Sequence, residues 1–320
     1  MLLLGTLVGF PASAVLLVLS LRSLHAGEIG HSLRNAHPGS LALAVCASSL
    51  VYVVQAARWR LLALATPPLP FNRFLDWAIG AVAVNNVVPG RPGDVLRIEW
   101  LSRGAAMPRT RALASVTVDR GLDLLVLVAA FAVTYPAVEH AGWLNRVGGA
   151  GVAIALLVLL VFAAAVVYAR RAGAAPAGRL RRLVATLAHE GRLRITGWRG
   201  VAAVLLSVLA WGTWALSAWL VASSLGIALT PVELVFVTAV INLGVAIPSS
   251  PGFIGTYQWL GVSALGVLGV SHTQGFAFSV LLHAAWFVPT TLAGAALVLR
   301  KLPALVAGLL ADRSAQSDVA

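Results

Sequence analysis

The chain has 320 residues, of which 59% are hydrophobic and 11% charged. Soluble domains run nearer 45–50% apolar and about 25% charged, so an ordinary soluble enzyme and a disordered chain are both excluded. The net charge of +12 comes from 23 Lys+Arg against 11 Asp+Glu, and in a membrane protein such cations report orientation before they report a partner. The single Cys46 excludes an internal disulfide and any multi-cysteine metal site.

In chain order, long apolar runs cover 2–21, 41–57, 112–138, 147–169, 201–225 and 275–299. Each is long enough to cross a bilayer, which takes roughly 20 residues. The first run has no basic segment before it and is too long for a signal peptide, so it is expected to stay as a span. Four shorter runs form two pairs, 74–90 with 92–107 and 232–247 with 253–270.

The arginines then test the topology. Segments 58–73, 91–111 and 170–199 and the C-terminal end hold 19 of the 23 cations. The positive-inside rule puts these segments, and both termini, in the cytoplasm. That works only if each short pair leaves and returns on one side. The expected fold is therefore an all-α polytopic membrane protein with six full transmembrane helices. Two oppositely oriented re-entrant or broken hairpins complete two pseudo-symmetric inverted halves. Residues 1–311 are expected to form one transmembrane domain with a basic cytoplasmic loop at 170–199, and 312–320 a disordered tail.

The hairpin tips carry the chemistry. The first reads Asn85-Asn86-Val87-Val88-Pro89-Gly90-Arg91-Pro92-Gly93-Asp94, and the second Asn242 to Gly252 with Pro248-Ser249-Ser250-Pro251-Gly252 at its end. Proline stops a helix and glycine lets the chain turn. Pro92 and Pro251 suit the first position of a new helix, and Ser249 or Ser250 its cap. Two helix N-termini meeting at depth would favour an anion. Paired broken segments in corresponding places of two halves point to a transporter's site. The plainer reading, ordinary turns between spans, stays open here.

Arg91 is expected to hold a lipid phosphate, with Arg97 along the access path, because the guanidinium fork donates two parallel hydrogen bonds. The alternative for 92–107 is an interfacial helix with solvated charges. Asp119 and Asp123 share a helix face beside Arg120. Ionisable groups inside a span are functional hypotheses: Arg120 is expected to line the headgroup path with Arg91, and Asp119, Asp123 and Asp94 to balance arginine charge or carry protons, unless the charges of this span sit at the helix end. Arg58-Trp59-Arg60 reads as a cytoplasmic anchor, with headgroup contact by Arg58 and Arg60 as the second reading. Asn85 and Asn86 bond the headgroup or stabilise the break. Pro89, Gly90, Gly93, Gly252 and Gly255 shape the tips and permit close backbone approach. No P-loop, nucleophile elbow or metal-ligand cluster is present, so neither enzyme activity nor any cofactor, metal or nucleic acid is expected.

Four elements resemble a known family. Asn85-Asn86-x-x-Pro89-Gly90-Arg91-x-Gly93-Asp94-x-x-Arg97 is similar to its N-N-x-x-P-G-R-x-G-[ED]-x-x-R signature. Arg58-Trp59-Arg60-x-Leu62 resembles its R-W-x-x-L element, and Asp119-Arg120-x-x-Asp123 its [ED]-R-x-x-D element. Pro248-x-x-Pro251-Gly252-x-x-Gly255 resembles its second tip. This is the lysylphosphatidylglycerol synthase transmembrane-region family, or flippase-like domain, in its stand-alone form, and the resemblance runs from about 55 to 295. It implies a multi-pass protein of a prokaryotic cytoplasmic membrane that moves an anionic phospholipid or isoprenoid-phosphate-linked lipid between leaflets. The partners implied are membrane lipids; a homo-oligomer is left open. Gln258 stands where the family often has Glu and cannot titrate. His283 falls where it often has Arg, which weakens anion binding from that side. An ion-coupled carrier of a small soluble anion is the first alternative. A membrane scaffold or enzyme in lipid or envelope glycoconjugate synthesis is the second.

Overall fold

The computed structural model describes residues 2–21, 30, 34–138, 179–245 and 250–317. Among the described residues there are ten α-helices and no strand. They are α1 (Leu2–Leu21), α2 (Pro38–Ala63), α3 (Phe71–Val87), α4 (Gly93–Gly104), α5 (Arg109–Thr134), α6 (Arg179–Ile195), α7 (Trp198–Ser224), α8 (Pro231–Gly244), α9 (Thr256–Val267) and α10 (His272–Ser317). The expected span at 147–169 lies outside the described residues, as do Pro248 and Ser249. Helix α10 continues past 311 to Ser317.

Local chemistry explains the boundaries. Pro38 opens α2, and Pro231 opens α8, where Thr230 and Glu233 cap each other reciprocally. Pro70 and Pro108 immediately precede α3 and α5. Helix α3 stops at Val87, two residues before Pro89, with Val88 extended.

Among the described residues, three helices are long and apolar enough to cross a membrane: Pro38–Ala63, Trp198–Ser224 and His272–Leu297. Their outward faces carry large apolar residues that water would penalise, among them Leu43, Leu50, Val201, Leu205 and Leu292. Helix α5 has 26 residues, but Asp119, Arg120 and Asp123 interrupt its apolar sequence.

Helices α2 and α7 form the most extensive helix pair and run antiparallel. His37 N–H donates to the Ser224 carbonyl at one end at 3.1 Å. Ser217 Oγ donates to the Ala44 carbonyl at 2.9 Å, and Arg58 meets Ser207 near the other end. Around this pair the same order of elements occurs twice: long helix, hairpin, long helix. The packing repeats too. Helix α3 packs on α10 as α8 packs on α5, and α4 on α5 as α9 on α10. One apolar core joins α2, α5, α7, α8, α9 and α10, centred on residues such as Val221, Val237, Ile241, Leu265 and Phe278. A second lies where α2, α3, α4 and α5 meet, around Trp59, Phe74 and Leu101.

Helix α6 docks on α5 through Arg194, whose guanidinium is buried and donates to Glu190 and to the Arg111 carbonyl. Burial works against the Glu190 charge, but the Arg194 hydrogen bond and charge outweigh it and hold that carboxyl below its ordinary value.

Candidate functional site

The first hairpin closes on itself. The Asn85 side chain, at the end of α3, accepts the first N–H of α4 from Gly93 at 2.7 Å. A Cβ at Gly93 would collide with the Ala81 carbonyl oxygen, so glycine here lets two helices touch rather than a lipid approach. Asn86 is buried and donates to Thr291 at 2.8 Å on α10. Both asparagines therefore stabilise the break. Gly90 and Arg91 have positive φ, 85° and 56°, which carries the chain through the turn to Pro92. Pro89 is half-buried beside them.

The hairpin delivers Asp94 and Arg97 to α2 and α5. Arg58 Nε donates to Asp119 at 2.8 Å, and Arg58 NH1 donates to Asp123 and to Ser207 Oγ, each at 2.8 Å. Arg97 donates to the other oxygen of Asp119 at 2.7 Å and lies 4.0 Å over the Trp59 ring. Arg120 donates to Asp94 at 2.6 Å and lies 3.5 Å from Asp123. Three arginines thus face three aspartates, drawn from α2, α4 and α5, and Ser207 ties in α7 as a fourth helix. At 1.5 Å per residue, Arg58 sits about 8 Å inside the end of α2, and Asp119 and Asp123 about 15 and 21 Å along α5. Helix α5 begins just after Pro108, as the helix-end reading assumed, and packing encloses Arg58, Arg97, Asp119 and Asp123. Unpaired there, each would be costly; paired and hydrogen-bonded, they hold four helices in register.

Two expectations change at this point. Arg58 is fully buried, so it is no headgroup contact or anchor; two carboxylates balance it inside the protein. Arg97 is 5% exposed and is locked between Asp119 and Trp59 rather than lining an open path. Arg60, two residues on, is exposed and gives one N–H to the Leu69 carbonyl.

Within this network the accessible charge lies on the tip side. Asp94 and Arg120 side chains keep 32% and 41% of their exposure. Arg91 is exposed and within electrostatic reach of both. Among the described residues it makes no ion pair, and its guanidinium rests 5.0 Å over the Phe253 ring of the second tip. The tips also touch where Gly252 approaches the Asn86 carbonyl.

The second tip differs from expectation. Pro251 opens a 3-10 turn, Pro251–Phe253, not the α-helix. Gly252 and Gly255, with φ of 63° and 89°, add a bend before α9 starts at Thr256. Ser250 Oγ donates to the Ile254 carbonyl instead of capping α9. The Gly255 N–H goes to Gln258 Oε1 at 2.7 Å, and the Gln258 amide donates to His283 Nδ1 at 3.0 Å. His283 stacks on Tyr257, with ring centres 4.6 Å apart. A Cβ at Gly255 would collide with the Ser13 carbonyl of α1. Gly255 and Gln258 are thus buried in a neutral seam between α1, α9 and α10, not on an accessible surface.

Neither helix N-terminus is an open anion cradle. Asp94 fills the first turn of α4 and Gln258 caps α9. At the two tips, among the described residues, the cation without an ion pair is Arg91. The sequence pattern gave no direct sign of Ser207 as a partner of Arg58, because a lone serine in an apolar helix has no distinguishing spacing.

A sequence model of the lysylphosphatidylglycerol synthase TM region matches residues 2–294, nearly the whole chain. No curated protein matches the chain.

Proposed function

The chain belongs to the lysylphosphatidylglycerol synthase TM-region family, and from that premise we propose that it carries an anionic lipid between the leaflets of a bilayer. It is a membrane protein of that family; the lipid-transport step is our reading. The observation that carries it is Arg91, exposed and without an ion pair among the described residues, beside a network in which three arginines and three aspartates already balance. One surplus positive charge at the meeting point of two broken hairpins selects an anion.

A lipid phosphate would bind Arg91 first and then compete with Asp94 for the half-exposed guanidinium of Arg120. Asp94 would be released as the phosphate takes its place, so charge stays matched. Arg58, Asp119 and Asp123 would hold the frame while this exchange proceeds. The tails would remain in the hydrocarbon. The repeated element order and the antiparallel α2–α7 pair support inverted halves, because a two-fold axis relating antiparallel neighbours must lie across them. Six full spans, two re-entrant hairpins, cytoplasmic termini and a prokaryotic inner membrane belong to the same proposal. No catalytic step is proposed.

The test is a proteoliposome assay with labelled phosphatidylglycerol, other anionic phospholipids and isoprenoid phosphates, under a pH gradient and under a voltage. Wild-type protein should move at least one of them, and Arg91→Ala should slow it at least tenfold. If none moves, lipid transport is the wrong reading. If a soluble organophosphate is taken up instead, the soluble-anion carrier replaces it. If Arg91→Ala transports normally, the site is elsewhere.

A further inference from the structure

A second positively charged site lies apart from the tips. A cavity of about 440 Å³ opens between the end of α2, the 64–70 loop and the start of α7. That volume falls within the roughly 300–1,000 Å³ of ligand sites. Its walls are apolar, with Leu61, Phe71, Phe74 and Leu206 among them, and its two charged residues are Arg60 and Arg199. Among the described residues no acidic side chain lines it. Arg60 spends one N–H on the Leu69 carbonyl, which fixes its stem and leaves the rest of the fork. Arg199 lies 5.7 Å over the Trp198 ring.

The surroundings say what reaches it. Trp198 is 68% exposed, and Val201 and Leu205 on the next turns of α7 are 62% and 63% exposed. This apolar strip belongs to one of the three candidate spans, so the cavity mouth continues into the lipid-facing surface. An exposed tryptophan beside arginines at a span's end is the pattern of a membrane–water interface. Anionic headgroups at that level attract each basic residue by about 1 kcal/mol, or about fivefold in affinity.

We propose that this cavity is a binding site for a resident anionic phospholipid that is not the transported molecule. The phosphate sits between Arg60 and Arg199, and the upper acyl segments lie on Phe71, Leu61 and Leu206. The site shares no residue with the Arg91 tip and does not depend on the transport reading. Phe74 lines the cavity and packs edge-on against Trp59 at 5.1 Å.

Native mass spectrometry of the full chain, released from nanodiscs of mixed phosphatidylglycerol and phosphatidylcholine, tests this. Wild-type protein should retain one phosphatidylglycerol more than Arg60→Gln/Arg199→Gln, with affinity lowered on the order of 25-fold in the double variant. Leu61→Trp keeps both arginines but fills the cavity and should lose the same lipid. This second variant guards against a folding defect, as does a melting curve for each protein. Arg91→Ala should retain the lipid, which separates this site from the transport site. Equal phosphatidylglycerol retention by wild type and double variant overturns the proposal, as does equal retention of the two lipids. If sn-glycerol 3-phosphate displaces the lipid as well as phosphatidylglycerol does, the site binds a free phosphate and the lipid assignment is overturned.

Discussion

The two hairpin tips share a vocabulary of Asn, Pro and Gly but solve opposite problems. The first tip imports charge: Asp94 and Arg97 complete an ion-pair network with Arg58, Asp119, Arg120 and Asp123, and Arg91 remains exposed beside it. The second tip excludes charge: Gln258, His283 and Tyr257 form a buried seam packed on α1. Similar backbone breaks therefore do not imply similar ligand roles. Helix breaks create room at depth, and the side chains nearby decide whether that room is polar and open or neutral and closed. The charged residues of the tips lie in one half, while the other supplies Phe253 as a surface for Arg91.

This contrast can be broken in a graded way. Arg58→Ala should have the largest effect on stability, about 3–5 kcal/mol, since it strands two buried aspartates; thermal melting in detergent reads it. Arg58→Lys should not restore the loss, because an ammonium lacks the planar fork that reaches Asp119, Asp123 and Ser207 together. Gly255→Ala comes next, at about 1–3 kcal/mol, from its positive φ and the clash with Ser13. It should leave the first tip's anion binding unchanged if the protein folds. Asn85→Ala should cost about 1 kcal/mol, the value of a lost helix cap, and loosen α4 in hydrogen exchange without unfolding α9. Arg91→Ala should change stability least, within about 0.5 kcal/mol as for an exposed side chain, while transport falls. A variant that loses stability and transport in parallel at Arg91 would erase the distinction between frame and ligand site.

Much of the helical layout was legible in the sequence. Apolar runs at 41–57 and 275–299 fall within α2 and α10, run 201–225 overruns the end of α7 by one residue, and both short pairs appear as helix pairs. Proline and glycine act through local sterics, so their positions mark breaks without any tertiary information. The site was legible only in part. Arg91, Asp94, Arg97, Asp119, Arg120 and Asp123 do converge, but Arg58 read as a boundary residue because Arg-Trp-Arg near a span's end has the composition of an anchor. Its true place depends on Asp119 and Asp123, 61 and 65 residues away, and on Ser207 across the antiparallel α7.

By itself the sequence determined class, breaks and scarcity of charge, because hydrophobicity and backbone restriction are local properties. Only the tertiary structure decided which charges are spent and which remain. Pairing depends on which helix faces meet, and that is fixed by packing between segments distant in the chain. Arg58 and Arg91 are the same residue type, each at the edge of an apolar run. One is enclosed by two carboxylates and the other rests exposed over a phenyl ring. That difference makes the first part of the frame and leaves the second available to a ligand.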